Sequence, residues 1–306
     1  MQTAQEAQQQ LRKLVREAQE LSRREADERR TARDQAEQEG APQVDQAMAQ
    51  LRSIGLEQDV LTQASGATAE KAQAREQLSQ RLVDASPAKS LEAAAMQLDD
   101  GFTAALAPET VKVLSPAYSA MFSAEPRTAQ LEQAPQAATY IYSTLEHNPW
   151  AWAQGAGSGL FGTGVGETFI DVSWWFYFVP PAYRFYSIIP YTTYRGFYIV
   201  QSDDHWYDSH HARAVLTNSV NVYQYNWKGW SHEDLLTLEG ANVNYNGRFD
   251  DTRSHYYTAL LAANDGVWIQ KRVRLYVYAR GGTAYSKLDF GTGTGNWIRT
   301  PYVYVY

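Results

Sequence analysis

The densest set of chemically versatile side chains is Asp203-Asp204-His205-Trp206-Tyr207-Asp208-Ser209-His210-His211, which gathers carboxylates and imidazoles, the usual ligands of divalent metals, in one stretch. It fits neither the H-E-x-x-H zinc pattern nor the D-x-D-x-D-G calcium loop, and adjacent His210 and His211 tend to point apart. It reads as a polar surface loop, with a cation site as the alternative, and no metal is predicted. Asp250-Asp251 and Glu233-Asp234 beside His232 are carboxylate pairs of the kind a glycosidase uses when folding sets them at the right separation. Turn chemistry and ion pairing explain them more simply. Gly157, Gly159 and Gly162 match G-x-G-x-x-G, yet no strand precedes them and a strand-like run follows, which argues against dinucleotide binding. Ser158 stands in G-S-G rather than the G-x-S-x-G of a nucleophile elbow. No cofactor is predicted.

The elements that must position these groups fall into two compositional halves. Before Tyr140 the only aromatic residues are Phe102, Tyr118 and Phe122, whereas all nine tryptophans come later. Cysteine is absent, which excludes disulfides and thiolate metal sites. The net charge is −7 and the basic residues are interspersed with acids, so nucleic acid is not an expected partner. The start, MQTAQEAQQQ, lacks the basic, apolar and small-residue regions of an export signal. The apolar run 169–179 is too short to span a bilayer as a helix, so the chain is expected to be made in soluble form.

Residues 1–125 are rich in Ala, Gln, Glu and Arg and read as several helices. Leu11, Leu14, Ala18 and Leu21 have the a/d spacing of a short heptad seam. Breaks are predicted at Gly40-Ala41-Pro42, Ser65-Gly66, Ser86-Pro87 and Ser115-Pro116. Further stripes are Val44, Ala47, Leu51, Ile54 and Leu61, then Leu78 and Leu82, then Leu91, Ala94, Leu98, Phe102 and Ala105. Each stripe is too thin to offset its own ordering entropy, so the helices need neighbours, either one another in a bundle or coiled coil or a second copy of the chain, or else they stay partly disordered until a partner binds. Residues 126–166 read as a connection ending in a Gly-rich hinge. Trp150, Trp152, Leu160 and Phe161 there could instead enter a membrane interface.

From residue 167 to 306 the period changes to two. Val273, Leu275, Val277 and Ala279 alternate with Arg272, Arg274, Tyr276, Tyr278 and Arg280; Val303 and Val305 alternate with Tyr302, Tyr304 and Tyr306. About eight strands are expected, with a turn at Asn246-Gly247. The fold class is α+β multidomain, N-terminal helices followed by an antiparallel β-sandwich of jelly-roll type. A tyrosine-rich face left half exposed suits stacking on sugar rings or on a protein surface. The predicted ligand contacts are Tyr276, Tyr278, Arg274, Tyr302, Tyr304 and Trp227; Trp230, Trp268 and Trp297 are further candidates for a groove or for the rim of the core. The reading is a non-enzymatic, self-associating protein, a homo-oligomer through its helices, whose sandwich recognises a surface glycan or a protein receptor. The alternative is a pore-forming toxin whose helices or Gly/Trp junction insert into a membrane, and the third is a glycoside hydrolase.

Overall fold

A computed structural model describes residues 3–86, 111–124, 142–145, 148–157, 164–203 and 210–306. Two helices, α1 (Ala4–Ser53) and α2 (Glu57–Asp84), precede a two-sheet antiparallel sandwich. Sheet A contains β1 (Lys112–Leu114), β3 (Tyr142–Leu145), β4 (Asn148–Ala156), β6 (Arg184–Ser202), β10 (Val243–Ser254), β11 (Tyr257–Leu261), β13 (Tyr285–Phe290) and β14 (Trp297–Val305). Sheet B contains β2 (Tyr118–Ser123), β5 (Val165–Phe178), β7 (His211–Gln224), β8 (Asn226–Trp227), β9 (Ser231–Gly240) and β12 (Val267–Arg280). The fourth predicted helical stripe lies outside the described residues.

Period-two patterning places the core as predicted. Val273, Leu275, Val277 and Ala279 of β12 and Ile170, Val172, Trp174 and Phe176 of β5 face sheet A and are buried. Tyr194, Val200, Leu288, Phe290 and Ile298 face them from sheet A. Pro190 sits inside β6 with no N–H to give, and the neighbouring strand divides opposite it: β10 ends at Ser254, paired with Tyr191, and β11 begins at Tyr257, paired with Ile188.

Several sequence expectations are corrected. Gly40-Ala41-Pro42 does not end α1, because no capping side chain precedes Pro42 to take up freed N–H groups, and the helix runs on to Ser53. The break comes at Gly55, whose φ of +76° gives the left-handed C′ residue of a Schellman end: Leu56 N–H bonds the Leu51 carbonyl and Gly55 N–H that of Arg52. Ser65-Gly66 lies inside α2, since a lone glycine costs only ~1 kcal/mol and does not stop a helix by itself. Strand begins before the predicted boundary, at Lys112, and the stretch read as a hinge contains β4. Its Ala151 and Ala153 turn into the core while Trp152 turns away. Gly155 and Gly166 lie where a side chain on either would meet the other strand's backbone, so these glycines permit close packing rather than bending. Asn246-Gly247 is within β10, and Gly247 leaves room for the Tyr198 ring opposite; the turn lies earlier, at Asn242 with φ +56°.

The two described helices do not form a bundle with each other. They join at a hairpin turn, where Leu51 and Val60 are buried, and then lie on opposite faces of the sandwich. On sheet B, the stripe that α1 buries is Ala7, Leu11, Leu14, Val15, Ala18 and Ser22, with Glu25 and Arg29 continuing it. The successive spacings 7, 11, 14, 18, 22, 25 and 29 follow an eleven-residue rather than a seven-residue repeat, which suits a nearly straight helix on a sheet. Leu21, expected in a heptad seam, is therefore 56% exposed. On sheet A, Leu78, Leu82 and Val83 of α2 pack on Phe197, Ile199 and Tyr285. Arg75 bonds Gln201 at 3.2 Å and lies 4.8 Å from the Tyr285 ring, and Arg248 reaches the Leu82 carbonyl at the end of the helix at 2.9 Å.

One inward position of β12 breaks the apolar rule. Lys271 lies between Ile269 and Val273, fully buried, and its ammonium bonds the Arg272 carbonyl at 3.3 Å. Burial, then the charge of Arg272, pushes its pKa well below the usual lysine value, against the opposing effect of Glu233. A base whose folded pKa is lowered costs the fold stability at every pH below its ordinary value of 10.5, and the cost shrinks only as pH rises toward that value. Lys271→Met is therefore expected to raise the melting temperature at pH 7 by roughly 3 °C or more, followed by calorimetry. A lower melting temperature would show that the ammonium is a net stabilising group.

Candidate functional site

The outer face of sheet B is built by the residues that alternate with the core: Phe169, Asp171, Ser173, Trp175 and Tyr177 on β5, Ser219, Asn221 and Tyr223 on β7, and Trp268, Gln270, Arg272, Arg274 and Tyr276 on β12. α1 covers one part of this face closely and a second part at a distance. The close part is apolar at one end, where Leu11, Leu14 and Val15 bury Trp175 and Trp268, each aliphatic side chain contributing roughly 2 kcal/mol.

At the other end the contact is ionic. Asp171 receives two hydrogen bonds from Arg274, at 2.6 and 2.8 Å, and a third from Ser22 of α1 at 2.7 Å. The same Arg274 reaches Glu25 of α1 at 2.6 Å, and Glu25 is bonded by Arg29. Arg29 continues to Glu167 at 3.1 Å and lies 4.8 Å from the Tyr276 ring, whose hydroxyl also donates to Glu167. Burial alone raises the Asp171 pKa, but Arg274, with Arg272 and Ser22, outweighs it and holds the carboxyl below its ordinary value. Glu25 is likewise lowered by Arg274 and Arg29 against the effect of burial.

Between these two contacts lies a cavity of about 520 Å3, within the ~300–1,000 Å3 usual for small-ligand sites. Its floor is Ser173, Asn221, Gln270 and Arg272; Trp175, Trp227 and Trp230 give it aromatic walls, Ala18, Gln19, Leu21 and Ser22 of α1 its roof, and Met121 and Phe122 of β2 one side. Trp175 and Trp227 lie 6.0 Å apart, and Trp227 meets Tyr223 edge to face at 5.4 Å. Trp230 carries the Arg272 guanidinium 4.1 Å from its ring and remains 38% exposed at the mouth. Gln270 Oε1, the Trp175 indole N–H and Arg272 Nε are buried without a hydrogen-bond partner among the described residues. Buried polar atoms left this way cost ~1–3 kcal/mol each, so this lining suits a polar occupant better than an apolar one.

Of the six predicted ligand contacts, only Trp227 lines the cavity. Arg274 and Tyr276 bind α1, and Tyr278 is half-buried with His211 6.0 Å from its ring. The predicted exposed face is thus partly covered by the chain's own helix. Tyr302 and Tyr304 lie on the opposite sheet, packed with Tyr191 at 5.7 and 5.4 Å. Of the predicted membrane contacts, Trp152 lies in β4 with the Lys287 ammonium 5.5 Å from its ring, Trp150 pairs with Ser143 in the β3–β4 ladder, and Leu160 and Phe161 lie outside the described residues. Among the described residues no helix is long and apolar enough to cross a membrane.

The acid and histidine motifs are structural where described. Asp203 pairs with Lys71 of α2, His210 contacts Thr283 and the Asp203 carbonyl, and His211 bonds Glu239 at 3.1 Å; residues 204–209 lie outside the described set. Asp250 is held by Arg248 at 2.7 Å, Asp251 by Arg253 at 2.7 Å, and Asp234 accepts from Thr217 at 2.7 Å. Among the described residues no three His, Asp or Glu side chains converge as a metal site. The residues the sequence reading missed are Asp171, Ser173, Trp175, Asn221, Gln270 and, as a pocket residue, Arg272. Their signal was strand parity: each stands beside an inward-facing core residue of its strand.

No protein-family model matches the chain, and no curated protein is similar to it in sequence. Among solved structures it is similar to an Arthrobacter globiformis T6 isomalto-dextranase complexed with panose, at 12% identity and a TM-score of 0.23, over 64% of this chain and 23% of that one. It is similar to TmCBM61 in complex with β-1,4-galactotriose at 8% identity and a TM-score of 0.22, over 63% and 90%. A family 35 carbohydrate binding module from Clostridium thermocellum gives 10% identity and a TM-score of 0.20, over 64% and 97%. At these scores the likeness assigns neither family nor function.

The ionic contact under α1 carries a pH signature. Both carboxylates have folded pKa values below their unfolded ones, so their stabilisation is complete above the ordinary carboxylate range, near pH ~4, and is lost as pH falls through the lowered values. Arg274→Met strands a buried charge on Asp171 and is expected to cost about 3–5 kcal/mol at pH 7 and less at pH 4, where Asp171 can take a proton. Urea unfolding at the two pH values checks this; an equal cost at both would mean that Arg274 acts through packing alone.

Proposed function

We propose that the chain is a non-enzymatic carbohydrate-binding protein whose ligand occupies the cavity between α1 and the outer face of sheet B. The observation that carries this reading is the combination of aromatic walls at Trp175, Trp227 and Trp230 with unpartnered buried polar atoms at Gln270 and Trp175. A sugar ring presents an apolar C–H face to an aromatic ring and hydroxyls at its edge that both donate and accept, which is what Gln270 Oε1 and the Trp175 N–H require. A purely apolar ligand would leave both unsatisfied.

Binding is favoured over hydrolysis by the state of the pocket carboxylates. Asp171 accepts three hydrogen bonds and Glu25 is gripped by two arginines, and both are held ionised below their ordinary range. A glycosidic general acid needs the reverse, a raised pKa and a proton to give.

A glycan array probed with the full chain is expected to return a restricted set of ligands. Trp230→Ala, at the exposed mouth, is expected to weaken the best of them about tenfold while the melting temperature stays within a few degrees. The reading fails if the array stays blank, or if Trp230→Ala binds as tightly as the parent.

A further inference from the structure

Arg272 is out of balance with its surroundings. It is one of two arginines two residues apart on the same face of β12, and its neighbour Arg274 takes both oxygens of Asp171. Glu25 is shared between Arg274 and Arg29. Arg272 is left with an Asp171 oxygen 3.9 Å from Nη1, beyond hydrogen-bond reach, and with the Trp230 ring at 4.1 Å. Its Nε is buried without a partner among the described residues, although the side chain is only 22% exposed. The aromatic ring holds the guanidinium plane in place without using its N–H fork.

Two residues earlier on the same strand face, Gln270 is 2% exposed and its Oε1 also lacks a partner, so both groups border one cavity. Gln270 asks for a hydroxyl donor. Arg272 asks for an acceptor, and a planar anion with two oxygens satisfies it best, because two parallel charge-assisted hydrogen bonds are roughly twice as strong as neutral ones. A neutral sugar supplies the first need and meets the second only with hydroxyls.

We propose that the ligand of this cavity is an acidic sugar of the uronate type, with its carboxylate on Arg272, a hydroxyl donating to Gln270 Oε1 and its ring against the Trp227 and Trp230 walls. The proposal rests on the carbohydrate reading of the cavity and narrows it to one chemical class. The wall and the cation come from different elements, Trp227 and Trp230 from the segment after β7 and Arg272 from β12, so the two requirements can be separated by substitution.

The full chain is titrated by calorimetry with galacturonate and glucuronate oligosaccharides and with galactose and glucose oligosaccharides of equal length. The acidic series is expected to bind at least tenfold tighter, with the preference shrinking as salt is raised. Arg272→Gln is expected to bring the two series within about threefold of each other, and Arg272→Lys, which keeps the charge but loses the fork, to retain part of the preference. Thermal melts of both variants control for folding. Equal binding of both series, or a preference unchanged in Arg272→Gln, overturns the acidic ligand and leaves a neutral-sugar pocket standing. Acetate binding as tightly as the uronate series overturns the sugar part of the assignment. Binding of neither sugar series overturns the acidic ligand and the carbohydrate reading together.

Discussion

Asp171 is a carboxylate set in the middle of a largely buried strand, and it stays ionised there because Arg274 approaches it along the sheet while Ser22 approaches it from the helix above. That three-way contact determines how α1 lies. An isolated buried aspartate would be strongly destabilising; paired with Arg274 alone it would still leave Arg274 short of partners at a covered site. Glu25, one turn beyond Ser22, supplies the second carboxylate, so the helix completes the coordination of a charge pair that belongs to the sheet. The apolar contact at Leu11, Leu14 and Val15 contributes attraction without direction, and the ionic contact fixes the register along the helix axis.

The cavity follows from the geometry of that docking. A nearly straight helix and a twisted sheet cannot stay in contact along their whole common length, so fixing the helix at two places leaves a gap where the surfaces diverge. α1 presents Ala18 and Ser22 there, which are too short to fill it, and the sheet presents Ser173, Asn221 and Gln270, which are polar and of moderate size. Larger residues at either set would have closed the gap. The tryptophans stand at its margins, so the gap has flat apolar sides and a polar floor.

Much of this architecture could be read from the sequence, because it rests on local rules. Strand β12 announces its two faces by alternation, and the aliphatic one is the core. The Ala/Leu stripe of α1 marks a face that needs a neighbour, but a stripe does not name the neighbour. Leu11, Leu14 and Ala18 are common to a heptad and to an eleven-residue repeat, and only the next residue separates them: Leu21 for a coiled coil, Ser22 for the sheet. The sequence favours Leu21 on hydrophobicity; the structure takes Ser22 because Asp171 lies opposite. Gly155 and Gly166 show the same limit, since glycine in a bend and glycine at a close backbone crossing have the same appearance in sequence. The site was the least legible part. Its residues come from α1, β2, β5, β7, β8, β12 and the segment after β8, and the one predicted pocket contact, Trp227, was chosen for its residue type rather than its place.

The abrupt rise in aromatic content after residue 140 gains a more specific meaning from the two helices. An aromatic residue on the outer face of a sandwich can be covered or stacked on its own kind, and both solutions occur here. α1 covers Trp175 and Trp268, and α2 covers Phe197 and Tyr285. Tyr191, Tyr302 and Tyr304 stack on one another. Trp230 has neither solution: it holds a cation whose N–H fork is unused, at the mouth of the cavity. The aromatic-poor helices are therefore the complement of the aromatic-rich sheets, each supplying small and aliphatic residues where the sheets supply rings. That complement is incomplete over the cavity under α1, where Gln270 Oε1 and Arg272 Nε have no partner among the described residues.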